Sequence, residues 1–256
     1  MTTATVTVDG TAAPRPVSVS SGVRRFWLVA GSVVAVVLLL GGALQVLLAL
    51  AHETRTEVRT FPVTGVRVLD VHVDSGTVRV VAGDDDRIRV TGRINHGLQS
   101  TDHSIRRIGN RLVIDASCPV LSSFCSTDWV IRAPAELPMS VDTKGDIHVV
   151  GSHSTLHLYS DHGSITGDSI ESARAHVSTD HGDLSMTFAA SPQSVVASAN
   201  HGDIELSIPR SNATYQVAAS SDHGTTDAQV RTDPASNRTI RAHSDHGDVS
   251  IRYFTP

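Results

Sequence analysis

Ser194–Pro209, S-V-V-A-S-A-N-H-G-D-I-E-L-S-I-P, reads as two strands meeting at a glycine corner. Val195 and Ala197 alternate with polar residues before Gly202, and Ile204, Leu206 and Ile208 do so after it. A period of two places every second side chain on one face, the pattern of a half-buried strand. The corner phrase recurs at Lys144-Gly145-Asp146, Asp161-His162-Gly163-Ser164, Asp180-His181-Gly182-Asp183, Asp222-His223-Gly224-Thr225 and Asp245-His246-Gly247-Asp248. The corner glycines, Gly145, Gly163, Gly182, Gly202, Gly224 and Gly247, stand 18, 19, 20, 22 and 23 residues apart, so one structural unit repeats about every twenty residues. Asp74-Ser75-Gly76-Thr77 is a weaker relative nearer the N-terminus.

The flanks carry the same alternation. Leu184, Met186 and Phe188 follow Gly182, and Val249, Ile251 and Tyr253 follow Gly247. Leu156 and Leu158, Ala175 and Val177, Val217 and Ala219, and Ile240 and Ala242 precede their corners at equivalent positions. Small residues three before the glycine (Thr179, Ala199, Ser221, Ser244) suit a narrow corner over a thin core. A meander of hairpins with His-Gly turns and a β-solenoid with one unit per coil both satisfy these periods. The even spacing and the repeated corner favour the solenoid, because only stacking makes equivalent positions neighbours. The expected fold is therefore all-β, a β-solenoid over residues 63–256, with an irregular insertion, or irregular early coils, near 95–133.

The corners Gly145-Asp146-Ile147-His148-Val149, Gly182-Asp183-Leu184-Ser185-Met186, Gly202-Asp203-Ile204-Glu205-Leu206 and Gly247-Asp248-Val249-Ser250-Ile251 resemble those of the bacterial putative-adhesin domains. The resemblance covers roughly Val63–Tyr253. Gly163-Ser164 and Gly224-Thr225 depart from it by lacking the aspartate. It implies a surface-facing solenoid tethered by one membrane helix and no established biochemistry.

Phe26–Ala51, FWLVAGSVVAVVLLLGGALQVLLALA, holds no charge and one amide, Gln45. As one helix it would be about 39 Å long, enough to cross a bilayer core of about 30 Å. Residues 1–25 carry three arginines and one aspartate, net +2, while residues 52–256 carry 18 basic against 25 acidic side chains, net −7. The Arg24-Arg25 pair predicts a cytoplasmic, disordered tail over 1–25, a transmembrane helix over 26–51, a juxtamembrane stalk over 52–62 and an extracytoplasmic C-terminal domain. Ala49-Leu50-Ala51 also fits a signal-peptide cleavage site, but the apolar run exceeds the usual 7–15 residues of such a segment.

Outside the cytoplasm, Cys118 and Cys125 are expected to form a disulfide. The overall net charge of −5 argues against nucleic acid as a partner. Nothing in the chain points to catalysis. Gly167-Asp168-Ser169-Ile170 matches an esterase nucleophile phrase, yet no histidine follows an aspartate by three residues to complete that chemistry. Asp84-Asp85-Asp86 fits a solvated turn better than a calcium site. The expected function is non-catalytic: an envelope scaffold binding a protein or glycan, the alternative being a sensing domain in an envelope-stress membrane complex.

The corners offer one candidate site. In stacked coils His162, His181, His201, His223 and His246 form one row at a spacing near 4.8 Å. Asp161, Asp180, Asn200, Asp222 and Asp245 flank that row on one side, and Asp146, Asp183, Asp203 and Asp248 on the other. Such rows suit a divalent metal such as zinc or a coupled proton-sensitive strip. The simpler expectation is that aspartate caps the turn, glycine supplies a positive φ and histidine faces water. No other cofactor is expected.

Overall fold

The structure is a computed structural model that describes residues 30–42, 53–83, 86–96, 102–118 and 125–254. The chain divides into two compact units, Met1–Leu50 and Ala51–Pro256. In the first, a helix α1 covers 30–42. Thirteen residues span about 20 Å at 1.5 Å per residue. Among the described residues no helix is long and apolar enough to cross a membrane. The remainder of the expected 26–51 span and the tail 1–25 lie outside the described residues.

The described residues of the second unit form strands joined by turns and bends. In chain order these are β1 Glu53–Pro62, β2 Val68–Val73, β3 Val78–Gly83, β4 Arg87–His96, β5 Asp102–Ile108, β6 Arg111–Ser117 and β7 Ser126–Pro134. Then come β8 Met139–Thr143, β9 Ile147–Val150, β10 Leu156–Ser160, β11 Ile165–Ile170, β12 Arg174–His181 and β13 Leu184–Phe188. The last are β14 Ser194–His201, β15 Ile204–Pro209, β16 Gln216–His223, β17 Thr226–Ala228, β18 Thr239–His246 and β19 Val249–Phe254. Each coil contributes one strand to each of two sheets. The first sheet runs β1-β4-β7-β3-β9-β11-β13-β15-β19-β17 and the second β16-β18-β14-β12-β10-β8-β2-β6-β5.

Parallel pairing decides between the two architectures. Leu184 lies beside Ile204, and Ile204 beside Val249, while Ala175, Val195 and Ile240 line up in the other sheet. Equivalent residues of different coils are neighbours, as stacking requires and a hairpin meander forbids. The alternating apolar residues face inward: Leu156, Val177, Leu184, Met186, Phe188, Val195, Leu206, Ile240 and Ile251 are all buried. Each such side chain contributes roughly 1.5–3 kcal/mol by leaving water.

The coils do not stack in chain order at either end. The coil β18/β19 sits between β14/β15 and β16/β17, and the coil β2/β3 sits between β6/β7 and β8/β9. The N-terminal end is closed by antiparallel strands, β1 on β4 and β4 on β7 in one sheet and β5 on β6 in the other. Trp129, fully buried on β7, lies against Gly92, where a Cβ would come within 2.5 Å of its ring.

The corner glycines are required chiefly by this stacking. A Cβ on Gly145, Gly163, Gly182, Gly202, Gly224 or Gly247 would fall 2.0–2.5 Å from backbone of the adjacent corner glycine. Only Gly182, Gly202 and Gly247 of this set have positive φ, at 142°, 150° and 150°. Close approach is thus common to all six corners, and the expected left-handed turn to half of them. Behind the glycines, buried hydroxyls tie coil to coil: Ser160 Oγ donates to Gly145 O (2.8 Å), Thr179 Oγ1 to Gly163 O (3.1 Å) and Ser244 Oγ to Gly202 O (2.9 Å).

Two expectations need correction. The expected stalk at 52–62 is largely strand: β1 pairs residue for residue with β4, because its Thr, Val and Arg residues alternate like the rest. The expected insertion at 95–133 contains a regular coil, since β6 pairs with β2 and β7 with β3 in parallel. That coil lacks a glycine at its corner, which hides it from the repeat. The bond between Cys118 and Cys125 joins the residue after β6 to the residue before β7.

Replacement of Gly202 by alanine combines a clash with Gly182 O at 2.0 Å and an unfavourable φ. It is expected to cost roughly 3 kcal/mol. Gly109→Ala, where φ is 62° but nothing lies within 4 Å, is expected to cost about 1 kcal/mol. Urea unfolding of both variants measures the difference, and equal losses would refute the stacking argument.

Candidate functional site

The corner column arises where the strands of the second sheet end and the chain turns through Gly into the first. Since β12, β14, β18 and β16 pair in register to their last residues, His181 lies beside His201, His201 beside His246, and His246 beside His223. The five imidazoles stack in the order His162, His181, His201, His246, His223, with centroid separations of 5.1, 4.9, 4.8 and 4.4 Å and interplanar angles of 1–7°. All five are exposed. The last two stand in reverse of chain order because the final coil is interposed.

The aspartates after the glycines do structural work. Asp146 Oδ1 accepts from Ser164 N (2.9 Å), Asp183 Oδ1 from Asp203 N (3.0 Å), Asp203 Oδ1 from Asp248 N (2.7 Å) and Asp248 Oδ1 from Thr225 N (2.7 Å). Ser164 Oγ accepts from Asp183 N and completes the ladder where a coil lacks the carboxylate. The backbone N–H of Thr225, with help from its hydroxyl, holds the Asp248 carboxyl below the ordinary carboxylate range. A carboxylate is favoured by accepting such bonds. Asp183, Asp203 and Asp248, expected as metal ligands, are therefore ladder acceptors.

The aspartates before the histidines divide. Asp180 accepts from Tyr159 OH (3.0 Å) and Asn200 Nδ2 (3.2 Å), so both its oxygens are engaged. Asp245 Oδ1 is paired with His243 Nε2 at 2.9 Å. Asp161 instead turns toward the column, its Oδ2 3.1 Å from His162 Nδ1. Among the described residues two groups bring three ligand atoms within 4.8 Å of one another: Asp161, His162 and His181, and Asp222, His243 and Asp245. Of the expected ligands only His162, His181 and Asp245 enter these groups; His201 and His246 stand in the stack, and His223 also has its Nδ1 3.2 Å from Asp245 O. Asp161 and Asp222 belong to the row of carboxylates expected beside the histidines, whereas His243, two residues before Asp245 and outside the corner phrase, was not singled out in the sequence.

Other charged residues lie away from the column. His148 Nε2 is 3.4 Å from Asp168 Oδ2 beside a bulge in β11, where Ser169 has φ 53°. The Gly167–Ile170 phrase is thus a strand irregularity. An open cleft of about 640 Å³ at the return side is lined by Val63, Arg67, Asp86, Glu136, Leu137 and His153. Asp84 and Asp85 lie outside the described residues.

The stacked two-sheet architecture and its repeated corners have a counterpart. Residues 139–252 match the family model described as Toastrack DUF4097. The match begins at β8 and ends within β19, so it takes in all six corner phrases. Among solved structures, a putative cell adhesion protein from Clostridium sporogenes is 12% identical, with 79% of this chain and 100% of that chain covered at a TM-score of 0.50. A putative adhesin from Bacteroides fragilis is 18% identical, with 78% and 97% covered at a TM-score of 0.46. At these identities the first likeness speaks for the fold alone. No curated protein matches the chain.

The ladder has a consequence for acid stability. A carboxyl whose folded pKa is depressed adds stability that is fully present above its unfolded value, about 4, and is lost as pH falls through the folded value. Asp248→Asn removes that titration, so the variant is expected to lose less melting temperature than the parent between pH 5 and pH 2. Calorimetry across that range checks it; an unchanged or steeper acid dependence would contradict the ladder's role.

Proposed function

We propose that this protein is a non-catalytic scaffold of the cell envelope, anchored by one N-terminal helix and holding a protein or glycan on the faces of its β-unit. The observation that carries this reading is the repetition of the surface. Residues of like type project from coil after coil, as in the His162–His223 column at 4.4–5.1 Å and the aspartate ladder beside it. Side chains held at fixed intervals on rigid parallel sheets suit extended partners that touch many weak points at once. The Clostridium sporogenes structure with this fold is named for cell adhesion, which agrees with the proposal.

Two features support the location. Helix α1 exposes Val33, Val34, Val36, Val37, Leu38, Leu39 and Leu40, an apolar surface all round that favours lipid over water. The Cys118–Cys125 bond favours an oxidising compartment for the β-unit. In this reading 26–51 spans the membrane, 1–25 is cytoplasmic and the β-unit lies outside.

Photo-crosslinking residues placed at exposed positions 181 and 241 of the full chain in cells test the proposal. Capture of cell-wall glycan or an extracellular protein is the expected outcome. Capture of a membrane regulator in its place would favour a sensing role, and a reporter fused after Pro256 that is active only in the cytoplasm would overturn the topology.

A further inference from the structure

We propose that Asp161, His162 and His181 bind a divalent transition-metal ion of the zinc, nickel or copper class at the first step of the imidazole column. The proposal does not depend on the scaffold reading. The three side chains each bring a ligand atom within 4.8 Å of the others, and Asp161 Oδ2 stands 3.1 Å from His162 Nδ1. Two imidazole nitrogens and one carboxylate oxygen form a donor set matched to borderline ions, whereas calcium and magnesium favour oxygen alone. Three protein ligands leave a fourth position for water.

The surrounding structure singles out this step of the column. The backbone that carries the donors is fixed, with His181 N bonded to Asp161 O at 3.0 Å and Asp161 N to Thr143 O at 3.0 Å. Tyr159 and Asn200 occupy both oxygens of Asp180, the ladder holds Oδ1 of Asp183 and of Asp203, and Asn200 replaces the aspartate beside His201. Among the described residues no carboxylate oxygen completes a three-ligand group at the His181–His201 or His201–His246 step. On the other side, the corner Thr143-Lys144-Gly145 is one residue shorter, so the column begins at His162. The Lys144 ammonium is directed to Asp74, 3.8 Å away. The two rings lie 5.1 Å apart and nearly parallel, and both are exposed, so they can tilt toward an ion with Zn–N bonds near 2.1 Å.

Titration of the full chain in detergent with zinc, followed by calorimetry, and with cobalt, followed by visible absorption, tests the site. One ion per chain is expected, with affinity reduced about tenfold or more in Asp161→Asn, His162→Asn and His181→Asn, and unchanged in His246→Asn and His243→Asn. Circular dichroism of each variant reports whether it folds. Absence of binding in the folded parent would overturn the proposal. So would binding that is indifferent to Asp161→Asn, or that falls equally in His246→Asn, since either means an unspecific imidazole surface.

Discussion

Backbone meets backbone at the corners, and the rest of the β-unit depends on that approach. A parallel strand spacing of about 4.8 Å leaves no room for a side chain between one corner and the next. Glycine meets the condition at all six repeated corners, and once it does, the residues on either side are forced into register. The hydroxyls of Ser160, Thr179 and Ser244 then reach the glycine carbonyls of the adjacent coil from inside. The aspartates do the same for backbone N–H groups from outside. Most coils are thereby tied at two or three depths within a few ångströms, and the histidines are arranged as a by-product of that precision.

Much of this was legible in the sequence because a two-residue period and a recurrent glycine are local signals. Val195, Ala197, Ile204 and Leu206 announce their own burial, and stacking follows from the evenness of the repeat. The order of the coils was not legible. Ser194–His201, Gln216–His223 and Thr239–His246 have nearly the same outline, so local pattern does not state which pair are neighbours. The β6/β7 coil was hidden for the opposite reason: it lacks the glycine phrase, and a disulfide secures its corner.

The site divides along the same line. That the five histidines share a row follows from spacing alone. Which carboxylates remain available does not, because it is decided by residues one coil away. Asp161 and Asp180 occupy equivalent places in their phrases, yet Tyr159 and Asn200 engage only the second. Asp183 and Asp203 look like exposed ligands in sequence, and each has its Oδ1 held by a backbone amide of the adjacent coil.

The interposed last coil also bears on how the chain reaches its native state. As the polypeptide leaves the ribosome, β16 emerges before β18, and its outline matches the open edge of β14. Until residues 239–254 exist, the vacant position beside β14 has no other claimant of that register. In the native order the C-terminal strands lie between β14 and β16, and between β15 and β17, so the coil made earlier is the outermost layer. A stop codon before Thr239 would thus remove an interior layer and leave a chain able to close over the gap in a non-native order.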